Sequence, residues 1–190
     1  VQEKAVAYPT DSRLLEIARH KLVKAAKAEG IVLRQSYARI GPALKFKAGR
    51  YAHAKQFKRM RRTLKSQRTL LGRLVRELQR KANDEQRQRL AVLLERAERI
   101  RSQKPKDKNK LYALHAPEVE CIGKGKARQP YEFGVKVGIA VAAKKGLVIG
   151  ARSFPGNPYD GDTLEEHLEQ TAILTGVAPK TAIVDLGYRG

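Results

Sequence analysis

The chain has 190 residues and carries 40 Lys and Arg against 19 Asp and Glu, a formal net charge of +21. No stretch approaches the roughly 18 uncharged apolar residues of a membrane span, and the N-terminus lacks a secretory signal pattern. The single cysteine, Cys121, excludes an intramolecular disulfide, and no Cys and His cluster has zinc-site spacing. We therefore expect a protein of a reducing, cytoplasmic compartment.

The charge is distributed unevenly along the chain. Residues 111–190 hold 9 basic and 9 acidic side chains, whereas residues 1–110 hold 31 and 10. Between Glu29 and Glu77 there are 14 Lys and Arg and no carboxylate. Such a field of one sign favours a polyanionic partner. Nucleic acid is the first candidate and an anionic membrane surface the second, while a merely solvated basic surface is the third alternative.

The first half of the chain predicts a strand followed by helices. Residues 1–8 alternate loosely between apolar and polar, as a strand does. Apolar residues at helical spacing, preceded by capping side chains, predict a helix over 12–29. Residues 31–52 are mixed, and their apolar residues predict at most a short helix that is broken near Gly41-Pro42.

The strongest periodic signal spans residues 53–101. Apolar residues recur at heptad spacing, with Gln67 in one of the expected places. Asn83 then begins a second helix with Gln86 at its third position, a capping-box pattern. Two helices joined at 82–84 predict an antiparallel hairpin whose apolar residues form a core. These residues are Phe57, Met60, Leu64, Leu71, Leu74, Leu78, Leu90, Leu93, Ala97 and Ile100.

Basic residues cover most of the remaining surface of the first hairpin helix, where Arg73 and Arg76 also lie. With few aromatic residues among them, we expect contacts to the DNA backbone rather than stacking on bases. The basic turn Gly123–Lys126 is a further candidate for backbone contact. The predicted DNA-binding residues are Lys55, Lys58, Arg59, Arg61, Arg62, Lys65, Arg68, Lys124, Lys126 and Arg189.

The second half of the chain predicts a sheet with one helix. A polar linker at 102–110 precedes it. Together with the first strand, these elements indicate a mixed α/β sheet interrupted by a helical insertion. In order, the predictions are a buried strand over Glu132–Ala143, a turn at Lys144–Gly146, a strand over Leu147–Phe154, a helix that Asp162 or Thr163 caps and that runs to about Leu174, and a strand over Lys180–Leu186.

Asp185 is the candidate catalytic residue. It stands at the end of the last predicted strand, and ligands of α/β sheets bind beyond the carboxyl ends of strands. A carboxylate at that place can hold Mg²⁺. The alternative is that Asp185 orders the turn that follows it. Turn, cap or surface roles are expected for the other carboxylates, and the four histidines lack paired ligand spacing.

Three stretches resemble a known family. They are HAPEVECIGKGKARQPYEFGVKV (115–137), DGDTLEEHLEQTAILTG (160–176) and IVDLGYRG (183–190). Together with residues 1–15 and 30–37, they are similar to bacterial insertion-sequence DDE transposases over nearly the whole chain. The resemblance implies an RNase H-like core that cuts transposon ends and joins them to target DNA with Mg²⁺. Asp185, in the family's DxGYxG motif, would be its second catalytic carboxylate and a metal ligand.

The same resemblance implies an incomplete site. The family's first Asp would lie before Val1 and its Glu beyond Gly190, so we expect a truncated, inactive copy that does not bind Mg²⁺ tightly alone. The fold implied is an incomplete RNase H-like mixed sheet with a large basic helical insertion. Its expected parts are a first core strand at 1–11, the insertion at 12–110 and the core at 111–190.

The expected partners follow from this assignment. They are double-stranded DNA at transposon ends and target, with self-association also open and no membrane. The expected location is the nucleoid of a bacterial cytoplasm. The alternative function is a non-catalytic basic DNA- or RNA-binding protein.

Overall fold

The computed structural model describes residues 2–3, 8–123, 127 and 130–189. The chain divides into two compact units. One is a helical unit over 7–117, and the other is a sheet unit formed by 1–6 with 118–190. The helical unit thus lies in sequence between the first and second strands. Lys124 and Lys126 lie outside the described residues.

The first two helices of the helical unit are α1, Asp11–Ala28, and α2, Ile40–His53. Helix α1 confirms the helix predicted over 12–29, and the Thr10 hydroxyl caps it by accepting the Arg13 N–H at 3.3 Å. The helix break expected near Gly41-Pro42 is wrong, because these residues lie in the first turn of α2. Proline is tolerated there since first-turn N–H groups have no intrahelical partner.

The predicted hairpin is present as α3, Phe57–Lys81, and α4, Asp84–Ser102. Its capping box is confirmed: the Asn83 side chain accepts the Gln86 N–H at 2.8 Å, and the Gln86 side chain accepts the Asn83 N–H at 2.9 Å. The core position expected for Phe57 is wrong, since this side chain is 54% exposed. In α4, Leu94 is buried and Leu93 is only partly so.

The core of the helical unit joins α1, α3 and α4. It includes Leu111 and Leu114, so the unit continues beyond the linker expected at 102–110. The buried side chain of Gln103 holds that linker in place. Its oxygen accepts the Leu111 N–H at 2.9 Å, and its nitrogen donates to the Leu111 carbonyl at 3.2 Å. Apolar burial supplies the main driving force for this packing.

The sheet unit contains four described strands: β1, Gln2–Glu3, β2, Glu120–Gly123, β3, Tyr131–Val141, and β4, Val148–Phe154. β3 pairs antiparallel with each of the others. The β3–β4 hairpin confirms the sequence prediction, whereas β2 was not predicted. The helices and the sheet together confirm the expected α/β class, and every described strand pair is antiparallel.

Helix α5, Leu164–Thr175, packs on β4 and ends at Gly176, whose φ of +71° suits glycine. The strand predicted over Lys180–Leu186 is wrong: this segment forms no described ladder, and Ile183 and Leu186 are 89% and 78% exposed. An apolar run becomes a strand only where a neighbouring strand satisfies its backbone. The described sheet offers this segment no such neighbour.

Two finer expectations for the sheet unit also fail. The buried strand expected over Glu132–Ala143 is exposed at Ile139 and Val141. Thr163 stands at the N-cap position of α5, but its hydroxyl donates to the Asp160 carbonyl at 2.7 Å, so the expected side-chain cap does not form there. In the described part of the chain, no helix is long and apolar enough to cross a bilayer.

Candidate nucleic-acid interface

A line of exposed basic residues follows one face of α3. Their spacing of three, four or eight residues places them on the same side of a helix with about 3.6 residues per turn. Thr69 occupies the intervening place. We call this set the basic stripe; its members are Lys58, Arg62, Lys65, Arg73, Arg76 and Arg80, all exposed.

The packing of α3 determines where the stripe points. The opposite face of the helix contributes Leu64, Leu71, Leu74 and Leu78 to the core, and all four are buried. Burial of that face leaves the basic face in solvent. From Lys58 to Arg80 the stripe extends about 33 Å, at a rise of about 1.5 Å per residue.

The stripe cations form no close ion pair with a described carboxylate. Arg76 and Arg80 exert only small charge effects on Glu98 and Glu77, whose closest ion pairs are with Arg101 and Lys81. Among the described residues, no Asp or Glu lies within 4.0 Å of a stripe cation. Elsewhere in the helical unit, arginines do pair, as Arg89 does with Glu29 at 2.7 Å. The Glu29 carboxylate accepts hydrogen bonds from Arg89, which lowers the pKa of Glu29. The stripe cations are therefore available to an external anion.

Three of the predicted DNA-binding residues, Lys58, Arg62 and Lys65, belong to the stripe. Lys55 and Arg61 are also exposed beside it. The structure thus brings together five residues that the sequence predicted, around the first half of α3.

Two other predicted residues are partly engaged within the protein. The Arg68 guanidinium turns inward, donating to the Gln103 carbonyl at 3.3 Å and lying 3.7 Å from Asp11. Arg59 donates to the Gln56 side chain at 3.0 Å but stays exposed. Arg68 therefore acts mainly in packing, whereas Arg59 can still reach a ligand.

Basic residues outside the predicted set extend the surface at both ends. In α2, Lys47 and Arg50 are exposed, with their cationic groups 5.9 Å from the ring centres of Tyr51 and Phe46. At the other end, Arg80 was not singled out from the sequence. Steps of three and four residues from Lys58, continued to the end of α3, would have found it.

The remaining predicted DNA contacts belong to the other unit. Arg189 is exposed near the end of the sheet unit. Lys124 and Lys126 fall on residues that are not described. The contact role predicted for these three residues stays a prediction.

Asp185 occupies a turn rather than the end of a strand. Its carboxylate accepts the Gly187 N–H at 2.9 Å and caps the short 3-10 helix Leu186–Tyr188. The turn-ordering role was the alternative interpretation from the sequence. A methyl group built on Gly187 would lie 2.9 Å from Asp185 Oδ1 and 3.0 Å from Asp160 Oδ2. The fold thus places these two carboxylates around one glycine, although they are distant in sequence.

This pair does not fit a magnesium ion by itself. Asp160 Oδ1 lies 2.8 Å from Lys136 Nζ, which balances its charge. Within the described residues, no group of three or more His, Cys, Asp or Glu side chains could hold a metal. Because the Lys136 cation already pairs with Asp160, the two carboxylates do not together offer the negative charge and the oxygen ligands that Mg²⁺ requires.

His167 of α5 is a buried titratable group in the sheet unit. Its buried ring packs edge-on against Phe154, and among the described residues neither ring nitrogen has a hydrogen-bond partner. Burial, with a smaller effect of the Arg152 charge, lowers the pKa of His167. The ring is therefore held neutral and serves packing.

Comparison with known proteins assigns neither a family nor a function to the chain. No protein-family model matches the chain, and no solved structure matches it. An uncharacterized protein, ORF8 in the nfe locus of Rhizobium meliloti, is 56% identical over 57 residues. The matched segment covers 30% of this chain and 28% of that protein.

Proposed function

We propose that the chain binds double-stranded DNA along the basic stripe, as the DNA-holding part of a DDE-type transposase. The observation that carries the proposal is the set of six exposed cations on one face of α3, none paired with a described carboxylate. Neutralising phosphates with such cations releases counterions from DNA, which supplies sequence-independent affinity.

The length of the stripe supports duplex DNA as the ligand. Its extent of about 33 Å is close to one turn of B-DNA, about 34–36 Å. A helix lying along the duplex can therefore contact phosphates over one turn. Lys and Arg contacts of this kind fix position and orientation but carry little sequence information. Recognition of specific transposon ends would need additional groups.

The transposase part of the proposal draws on the sheet unit. Apart from the helical unit and β2, the order is β1, the β3–β4 hairpin, α5 and then Asp185. This order is compatible with the RNase H-like core that the sequence resemblance implies. We propose Mg²⁺-dependent cutting and joining only for an enzyme in which carboxylates beyond those described complete the site. Asp185 would then turn from capping Gly187 toward the metal.

The alternative function is DNA or RNA binding without catalysis. The stripe supports it equally, and the lack of a described cluster of three metal-binding side chains favours it for the isolated chain. A nicking assay on supercoiled plasmid with Mg²⁺ separates the two. We expect no nicking by this chain; reproducible nicking that Asp185→Ala abolishes would contradict the proposed inactivity.

A charge-removal experiment tests the DNA site. The stripe variant is Lys58→Gln, Lys65→Gln and Arg62→Gln in one chain. The control removes the same charge from Lys104, Lys106 and Lys108, which are exposed outside α3. By fluorescence anisotropy with a mixed-sequence duplex, the stripe variant should lose about tenfold or more in affinity, since three phosphate contacts disappear.

The control makes the result specific. The control variant should lose less than about threefold in affinity for the duplex, because only the overall positive potential of the protein weakens. Equal losses in the two variants would contradict the stripe as the binding surface. Competition by duplex RNA against duplex DNA then distinguishes the DNA from the RNA form of the proposal.

A further inference from the structure

A concave site lies at the end of the basic stripe, between α3 and the segment that joins α1 to α2. We call this segment, residues 31–39, the connector, and the cavity of about 600 Å³ the arginine cleft. We infer that the arginine cleft grips the phosphoryl oxygens of a sugar–phosphate backbone. This inference rests on the proposed function and locates its tightest contact. The lining residues are Arg34, Gln35, Tyr37, Arg73, Arg76, Glu77, Gln79 and Arg80.

The connector is held rigidly against α3 and α1. Lys81 Nζ donates to the Val32 carbonyl at 2.7 Å, and the Arg34 N–H donates to Glu77 Oε1 at 2.7 Å. Arg19, itself buried, donates to the Ser36 carbonyl at 2.8 Å. These side-chain bonds to the backbone replace the helix expected from the apolar residues of this segment. They fix the backbone of Arg34 beside the cleft.

The one carboxylate that lines the cleft is already engaged. Glu77 accepts hydrogen bonds from Lys81 Nζ and from the Arg34 N–H, both at 2.7 Å. These bonds, the Lys81 bond first, lower the pKa of Glu77. The charge of Glu77 is therefore balanced chiefly by Lys81. Arg80 adds a smaller charge effect on Glu77, and most of the positive charge of the lining arginines is left for a ligand.

The type of cation at this place is informative. All lining cations are arginines, whereas the first half of the stripe contains two lysines. A guanidinium offers a planar fork of donors that matches phosphate oxygens in a bidentate manner. The forks come from two elements, Arg34 from the connector and Arg73, Arg76 and Arg80 from α3. An anion can thus be contacted from two sides, which the convex remainder of the stripe does not allow.

The phosphoryl groups could come from a nucleic-acid backbone or from a free polyphosphate, and the experiment separates these sources. The cleft variant is Arg34→Gln with Arg76→Gln, one residue from each wall. The matched control is Lys58→Gln with Arg62→Gln, which removes the same charge from the same stripe outside the cleft. Both pairs are exposed, so circular dichroism should show both variants folded.

The first measurement is calorimetric binding of inorganic pyrophosphate. Wild type should bind pyrophosphate. The affinity of the cleft variant should be about tenfold or more lower, and that of the control should change by less than about twofold. Absence of binding by wild type, or equal losses in the two variants, would overturn the inference. The second measurement is competition, in which pyrophosphate should displace a labelled duplex from wild type more readily than from the cleft variant.

The two measurements also separate this inference from the proposed function. Pyrophosphate binding with no duplex binding by wild type would refute the DNA function and, with it, the backbone as the source. Duplex binding that the cleft variant retains at wild-type affinity would refute the cleft alone. Loss of both ligands in the cleft variant supports the backbone assignment.

Discussion

A buried polar pair between α1 and α3 yields a quantitative prediction. Gln67 stands where the heptad pattern calls for an apolar residue, and it is buried. Its side-chain oxygen accepts the Ser12 hydroxyl at 2.7 Å, and its side-chain nitrogen donates to the Ser12 carbonyl at 3.1 Å. We therefore expect Gln67→Leu, which restores the apolar pattern, to destabilise the helical unit.

The magnitude follows from the groups left behind. The Ser12 hydroxyl, also buried, loses its partner, and an unsatisfied buried polar group costs about 1–3 kcal/mol. The Ser12 carbonyl lies in the first turn of α1, where it can still accept a helical N–H, so it adds less to the loss of stability. Leucine regains part of the loss through apolar burial. The expected net effect is a loss of about 2 kcal/mol in unfolding free energy.

A double-mutant cycle isolates the interaction. Removing both partners, as Ser12→Ala with Gln67→Leu, should bring the unfolding free energy to within about 1 kcal/mol of wild type. Urea unfolding followed by far-ultraviolet circular dichroism measures each variant, because the helical unit supplies most of the helical signal. Gln67→Leu at wild-type stability or above, or a double variant no better than the single one, would refute this reasoning.

Two further predictions concern backbone space and pH. Gly41→Ala should destabilise the helical unit, because the added methyl group would lie against Glu16 Oε2 and 2.5 Å from Arg19 Nε. Gly49→Ala, whose methyl group would have no atom within 4 Å, should stabilise α2 by up to about 1 kcal/mol. The thermal unfolding temperatures of the two variants should therefore shift in opposite directions. Because the pKa of His167 is lowered by folding, the unfolded state takes up its proton first, so stability should fall as pH drops below about 6.5 and level off below the folded pKa. His167→Leu should flatten this dependence in urea unfolding at several pH values, and an unchanged pH profile would contradict the assignment.

The elements that could be predicted from the sequence are those whose structure depends on neighbouring residues of the same segment. Helix α1, the α3–α4 hairpin and the β3–β4 hairpin follow from periodicity, caps and a glycine turn, all of which act within a few residues. The connector could not be predicted in this way. Its shape depends on bonds from Arg19, Glu77 and Lys81, which are distant in sequence.

The candidate sites show the same division. The first half of the basic stripe was predicted from charge and helical spacing, while its arginine-rich end needed the connector beside it to become a cleft. Asp185 was expected at the end of a strand because its neighbours are apolar. Without a described partner strand, those residues remain exposed, and Asp185 caps a turn. Its approach to Asp160 depends on tertiary folding alone.

The salt dependence of duplex binding tests the central claim most directly. If the six stripe cations neutralise about six phosphates, the slope of log affinity against log salt should be about −5, so affinity falls by about 10³ between 50 and 200 mM salt. Fluorescence anisotropy with a mixed-sequence duplex measures this slope on the full chain. A slope near zero, or no binding at 50 mM salt, would contradict the stripe as a DNA-binding surface.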